Sequence, residues 1–255
     1  MSDFIDQRSI IRTIWSDSEL VLLIFAGSAA EFALNRSVDW LFYTNRIPND
    51  PVGRFYSTVA YAQELVFADE TRAQQTMARI CAIHRSVESS RGERIPDWAY
   101  RDVLYMLIDY SERAHELFYR PLSVAEKHDL YAGFLRIGKG LEVLELPPNY
   151  LEWKVDRELH LLRDLARSKY TGMLYESYRA QLGELRYRLL LQLQALLAPE
   201  RVRELLGLEP SLLLGAAIKL YGLCSIPELR SVIQWLLLPV RNEIRQEYET
   251  KQRNG

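Results

Sequence analysis

With 255 residues, 48% hydrophobic and 26% charged, and a formal net charge of −2, the chain has the composition of an ordinary soluble globular protein, long enough to bury a core without disulfides. That balance argues against a nucleic-acid protein, whose phosphate contacts leave a clustered basic footprint; here Arg85, Arg91, Arg94 and Arg101 are interleaved with Glu88, Glu93, Asp97 and Asp102. The two cysteines, Cys81 and Cys224, form no Cys-x-x-Cys or Cys-x-x-Cys-His pattern, which argues against zinc and covalent haem.

The first eight residues carry two acids before any apolar run, unlike a secretory signal or an arginine-rich transit peptide, so a cytoplasmic protein is expected. Leu20 to Leu34 is the longest apolar stretch. It contains Gly27 and Glu31 and falls short of the roughly 20 residues of a membrane span, so it reads as a buried core helix. Pro48-Asn-Asp-Pro51 then breaks the chain, because proline disfavours helix at itself and just before it.

The helix that follows carries Arg54 and Thr58 four residues apart, on a face continued by Tyr61, Ala62 and Leu65 that is expected to point inward. A buried guanidinium without a partner costs roughly 3–5 kcal/mol, so something anionic should sit opposite Arg54. That anion is either a core carboxylate, Glu31 or Asp39, or a ligand group such as a haem propionate. Thr58 either lines the same pocket or bonds the preceding turn of its own helix.

Asp69-Glu70 places acids where the next helix starts, and the helix runs to about Ser89-Ser90 before Gly92 and Pro96 end it. Ala73, Met77, Ile80, His84 and Val87 recur along it as one stripe. An imidazole on such a wall suits axial ligation of iron when its second nitrogen is held; the plainer reading is a core histidine bonded to a carbonyl.

Asp97 opens a helix to about Phe118, with Val103, Met106, Tyr110 and Leu117 on one face. Its Glu112-Arg-Ala-His115 has the spacing of a di-iron ligand pair, but that site needs the motif twice and no second copy is present, so a surface pair is expected. Ser123-Val-Ala-Glu126 is a capping box for a helix to about Ile137, and His128 in its first turns reads as exposed.

After Leu146-Pro-Pro-Asn149, a helix from Tyr150 to about Ser168 presents Val155, Leu159, Leu162 and Ala166 on its apolar side. His160 shares the other side with Trp153, Asp156 and Asp164 and is expected to face solvent. A helix over about 171–197, shorter helices punctuated by Pro210, Pro227 and Pro239, and a fraying polar tail over about 247–255 complete the chain. The apolar stretches 212–223 and 232–238 are expected to pack internally. No alternating run long enough for a sheet, no flexible linker, and no dinucleotide, phosphate-loop or nucleophile-elbow motif occurs, so one all-α domain over 1–255 is predicted.

Taken in order, Asp50-Pro-Val-Gly-Arg54-x-x-x-Thr58, Val66-Phe-Ala68, Ile83-His84-x-x-Val87, Pro121-Leu-Ser123 with Glu126, and Leu146-Pro147 resemble the helical haem-oxygenase family of fungal MpaB-type oxygenases and bacterial latex-clearing (rubber) oxygenases. The resemblance implies a single, globin-reminiscent helical domain with non-covalent haem b, His84 as the axial iron ligand, and Arg54 and Thr58 near the pocket. It also implies an oxygenase, with dioxygen and a small apolar, isoprenoid- or lipid-like substrate. The chain departs from many relatives where they carry a Trp-Val-His-type segment, since it reads Val103-Leu-Tyr-Met-Leu107 there, and Glu31 matches the rubber enzymes' base by position only. With that second histidine gone, the alternative is a non-enzymatic haem carrier or sensor, or a haem-free helical interaction protein.

Overall fold

Asp17 joins the first two helices and starts the second. Its carboxylate accepts from the backbone N–H of Glu19 at 2.9 Å and of Leu20 at 3.3 Å, so α1 (Ile10–Ser16) hands over to α2 (Ser18–Phe32) across one residue. The computed structural model describes residues 2–43 and 51–224, without the side chains of 41, 51–57 and 221–224. Expectations for 225–255, including the apolar stretch 232–238 and the polar tail, lie outside the described residues.

Beyond α2 come α3 (Asp39–Tyr43), α4 (Pro51–Phe67), α5 (Glu70–Arg91), α6 (Asp97–Phe118) and α7 (Val124–Gly140). Then follow α8 (Tyr150–Arg163), α9 (Lys169–Leu197), α10 (Glu200–Leu206) and α11 (Leu212–Cys224). Among the described residues every regular element is a helix, and the fold is a single all-α domain. No described helix is long and apolar enough to cross a membrane.

The predicted stops and starts have their physical counterparts. Asp69 caps α5 by accepting from the N–H of Arg72 at 2.9 Å, and Gly92 ends it with φ 74°, a left-handed conformation that favours glycine. Both halves of the capping box are present: the N–H of Glu126 donates to Ser123 Oγ at 3.3 Å, and the N–H of Ser123 to Glu126 Oε2 at 2.8 Å. The 171–197 helix is interrupted inside, where Gly183 adopts φ 71° and ψ 165°.

The core lies between α2 and α6, with α1, α7 and α8 around them. Trp15 is fully buried, edge-on to Phe25 with ring centroids 6.0 Å apart, and its indole N–H donates to Ser111 Oγ at 3.2 Å. Gly27 lets the two central helices close up, because a Cβ there would fall 2.4 Å from Tyr110 Cδ1. On α6, Met106 and Tyr110 are buried and Leu117 is partly so, as expected; Val103 is exposed.

Helix α8 ends five residues before the expected Ser168. Its chain leaves the helix to pair with the segment after α2: the N–H of Arg36 donates to the carbonyl of Asp164 at 3.0 Å, and the N–H of Ala166 to that of Leu34 at 2.8 Å. This tie holds the ends of α2 and α8 together and brings their polar residues into one place.

Candidate functional site

The α4–α5 pair carries the residues singled out from sequence. Leu65 is buried and Tyr61 and Ala62 are half-buried as expected, but Val59 takes the inward position beside them, and Thr58 is exposed. Glu64 fastens the pair, accepting from Thr76 Oγ1 at 3.0 Å, Arg79 Nη2 at 3.0 Å and Arg72 Nε at 3.3 Å. A shallow cleft at that carboxylate, lined by Glu64, Asp69, Arg72, Thr76 and Arg79, is too hydrophilic for a porphyrin.

On α5 the predicted stripe is inward, buried at Ala73 and Met77 and half-buried at Ile80, His84 and Val87. The His84 ring lies against Tyr100 of α6, centroids 5.2 Å apart, and the Tyr100 hydroxyl donates to Glu88 Oε1 at 3.3 Å. Burial, with the Glu88 carboxylate, pushes the Tyr100 phenol upward, so it stays protonated. Arg54 lies on α4, and its side chain is outside the described residues.

Both carboxylates considered for Arg54 have other partners: Asp39 accepts from Arg91 at 2.8 Å, and Glu31 binds Arg157. The position-based reading of Glu31 as a base is therefore replaced by a structural one, since both its oxygens are taken by a guanidinium.

The other histidines sit in different surroundings. His128 is exposed, as expected. His115 and Glu112 are buried rather than a surface pair: His115 Nδ1 lies 3.0 Å from the carbonyl of Arg120, and Glu112 accepts from Lys127 at 2.5 Å and from Tyr150 at 3.0 Å. Each has its own hydrogen-bond partners.

His160 overturns its expectation most clearly, being buried rather than solvent-facing, while Val155, Leu159 and Leu162 are exposed. The reason lies on α2 and α6. Glu31, Asp102 and Asp109 are buried there, and α8 turns its cationic side inward to meet them. Arg157 donates to both Glu31 oxygens, at 2.5 and 2.6 Å, and to Asp109 Oδ2 at 3.0 Å; Arg113 donates to Asp109 Oδ1 at 3.0 Å.

Burial alone would raise the Asp109 carboxyl, but Arg157, Arg113 and Lys154 together bring it down to about 2. Burial prevails at Glu31 instead, raising it despite the guanidinium, with Asp109 and Asp102 adding to the rise. One turn on, His160 Nδ1 bonds Asp102 and lies 3.0 Å from Asp164 Oδ2. Asp102 also accepts from Asn35 at 2.7 Å, and Arg163 donates to both Asp164 oxygens at 3.0 and 3.1 Å.

Asp102, His160 and Asp164 thus have the donor types of a cation site, with ligand atoms within 4.8 Å of one another. Their hydrogen bonds and the Arg163 charge account for the cluster without one. Neither network was visible to sequence reasoning, since their bonds join groups as far as 126 and 67 residues apart; the one available signal was the pairing of Arg157 and His160 on a single helix side.

Of the four histidines, His84 is half-buried on an apolar stripe against Tyr100, His115 and His160 are buried among hydrogen-bonding groups, and His128 is exposed. No curated protein and no solved structure matches the chain. The family described as ER-bound oxygenase mpaB/B′/Rubber oxygenase, catalytic domain, matches residues 15–223, which span α4, α5, His84 and both ion-pair networks. The chain belongs to this family of oxygenase catalytic domains.

Proposed function

We propose that the chain is a cytoplasmic haem b-dependent oxygenase, using dioxygen on a small apolar substrate of isoprenoid or lipid-like character. The observation that carries this reading is the half-buried His84 on the inward stripe of α5, inside the stretch matched to the oxygenase family. His84 would hold the iron through a ring nitrogen, Arg54 would neutralise a propionate from α4, and Thr58 would hydrogen-bond at the rim of the pocket. Haem bound there would supply dioxygen activation for attack on a carbon–carbon double bond. Tyr100, protonated and against the imidazole, would keep that ring oriented and shield it from water.

A haem carrier or sensor is the second reading, favoured by α6. Where many relatives are expected to offer a second histidine, Tyr105 gives its hydroxyl to Asp156 at 2.7 Å and Met106 is buried in the core. Titrating the purified protein with hemin tests binding: a stoichiometric Soret band that shifts or disappears in His84→Ala is expected, and an identical band in that variant overturns the ligand assignment. Arg54→Ala should weaken hemin binding. Oxygen uptake by the reduced haem protein with unsaturated isoprenoids or fatty acids separates the two readings, since a carrier binds haem without turnover.

A further inference from the structure

Helix α8 turns its apolar side outward. Leu151, Val155, Leu159 and Leu162 are 66%, 66%, 53% and 65% exposed, whereas Trp153, Arg157, His160 and Leu161 are buried. At 100° per residue the four exposed side chains form one continuous stripe along the helix. They present on the order of 500 Å² per molecule, at the upper end of what a monomer leaves open to water. The fold cannot recover this surface by rotating α8, because the opposite side is committed to Glu31, Asp109 and Asp102.

The charges around the stripe select its occupant. Glu158 and Glu152 lie at the two edges of the stripe, which disfavours a bilayer surface, where lysine and arginine normally flank the apolar face. Lys154 and Glu158 lie along one flank, and Glu152 and Arg163 along the other. When two such helices pack antiparallel about a two-fold axis, each flank meets the same flank of the other copy. In the register that sets Leu151 against Leu162, Lys154, which also lies 3.9 Å from Asp109 of its own chain, faces Glu158 of the other copy, and Glu152 faces its Arg163, which also pairs with its own Asp164, so the exposed acids of each flank meet a cation of the other copy.

We propose that the α8 stripe is a homodimer interface, two copies packing antiparallel through Leu151, Val155, Leu159 and Leu162. The paired area, on the order of 1,000 Å² in total, is that of a weak, concentration-dependent dimer.

Sedimentation velocity of the full chain over a dilution series tests this. A dimer that dissociates on dilution is expected, and Val155→Glu with Leu159→Glu should abolish it without lowering the melting temperature, since both side chains face water in the monomer. Glu158→Lys should weaken self-association by about tenfold through two repulsive contacts; Lys154→Glu, which also removes a cation 3.9 Å from Asp109 and should lower the melting temperature, should weaken it similarly when compared at equal folded concentration, and an equimolar mixture of the two variants should restore it. Equal dimerisation of the single variants, or no gain on mixing, overturns the antiparallel register. A full chain that stays monomeric at every concentration overturns the interface itself. Binding to phosphatidylcholine–phosphatidylglycerol vesicles that the double glutamate variant loses would then assign the stripe to lipid.

Discussion

Arg157 and Glu31 meet through two hydrogen bonds of 2.5 and 2.6 Å, both side chains 1% exposed, and this pair decides which way α8 faces. Arg157→Met should leave Glu31 and Asp109 buried without their shared cation and cost roughly 3–5 kcal/mol. Adding Glu31→Leu should recover part of that loss, because an apolar pair needs no compensation. The check is a double-mutant cycle by chemical denaturation. A single variant as stable as the wild type would show that the pair does not hold the helix.

Acid stability follows from the neighbouring carboxyl. Asp109 is held at about 2, below its ordinary 3.8, so its contribution of roughly 2 kcal/mol is present above pH 3.8 and is lost as the pH falls towards 2. Glu31 is shifted the other way, so its ionisation opposes folding as the pH rises past 4.5, and its protonation does not weaken the fold in acid. His115, lowered by burial, starts to act at higher pH, since charging it below its usual 6.5 costs stability. Melting temperatures between pH 4 and 2 should therefore fall steeply in the wild type, less in Asp109→Asn, and undiminished in Glu31→Gln.

The contact of Gly27 with Tyr110 gives a packing test independent of charge. An alanine methyl at Gly27 would lie 2.4 and 2.5 Å from two ring carbons of Tyr110, which is itself fully buried and has no room to withdraw. Gly27→Ala should cost about 1–3 kcal/mol despite alanine's better helix propensity, and Tyr110→Leu should relieve most of it. A stabilised Gly27→Ala would mean that α2 and α6 separate readily.

The features legible in the sequence were those that one segment determines alone. Pro51, Asp69, Gly92 and the Ser123–Glu126 box mark helix ends through local backbone chemistry, and the inward stripe through Met77 and His84 follows from apolar spacing on a helix whose other sides are polar. Helix α8 was misread because the same spacing rule assumes that apolar residues choose the buried side. Three buried carboxylates on α2 and α6 outweigh that preference, and within 150–168 only the shared helix side of Arg157 and His160 hints at them. The early end of α8 has the same origin, since backbone pairing to residues 34–36 cannot be seen in either segment separately. His84 was found from its own helix, whereas His160 needed knowledge of its partners.

His84 and His160 therefore separate binding from folding. His84→Ala should remove or shift the hemin Soret band while leaving the apoprotein melting temperature within about 2 °C of wild type, because the ring is only half-buried. His160→Ala should do the reverse. Among the described residues it leaves buried Asp102 with Asn35 as its hydrogen-bond donor and should cost about 1–3 kcal/mol, seen as a lower denaturation midpoint, while the folded fraction binds hemin with an unchanged spectrum. Metal analysis of the purified wild type belongs to the same experiment: a stoichiometric divalent ion lost in His160→Ala would move Asp102, His160 and Asp164 from an ion-pair cluster to a cation site. If His160→Ala instead abolished the Soret band in fully folded protein, the axial ligand would have been assigned to the wrong histidine.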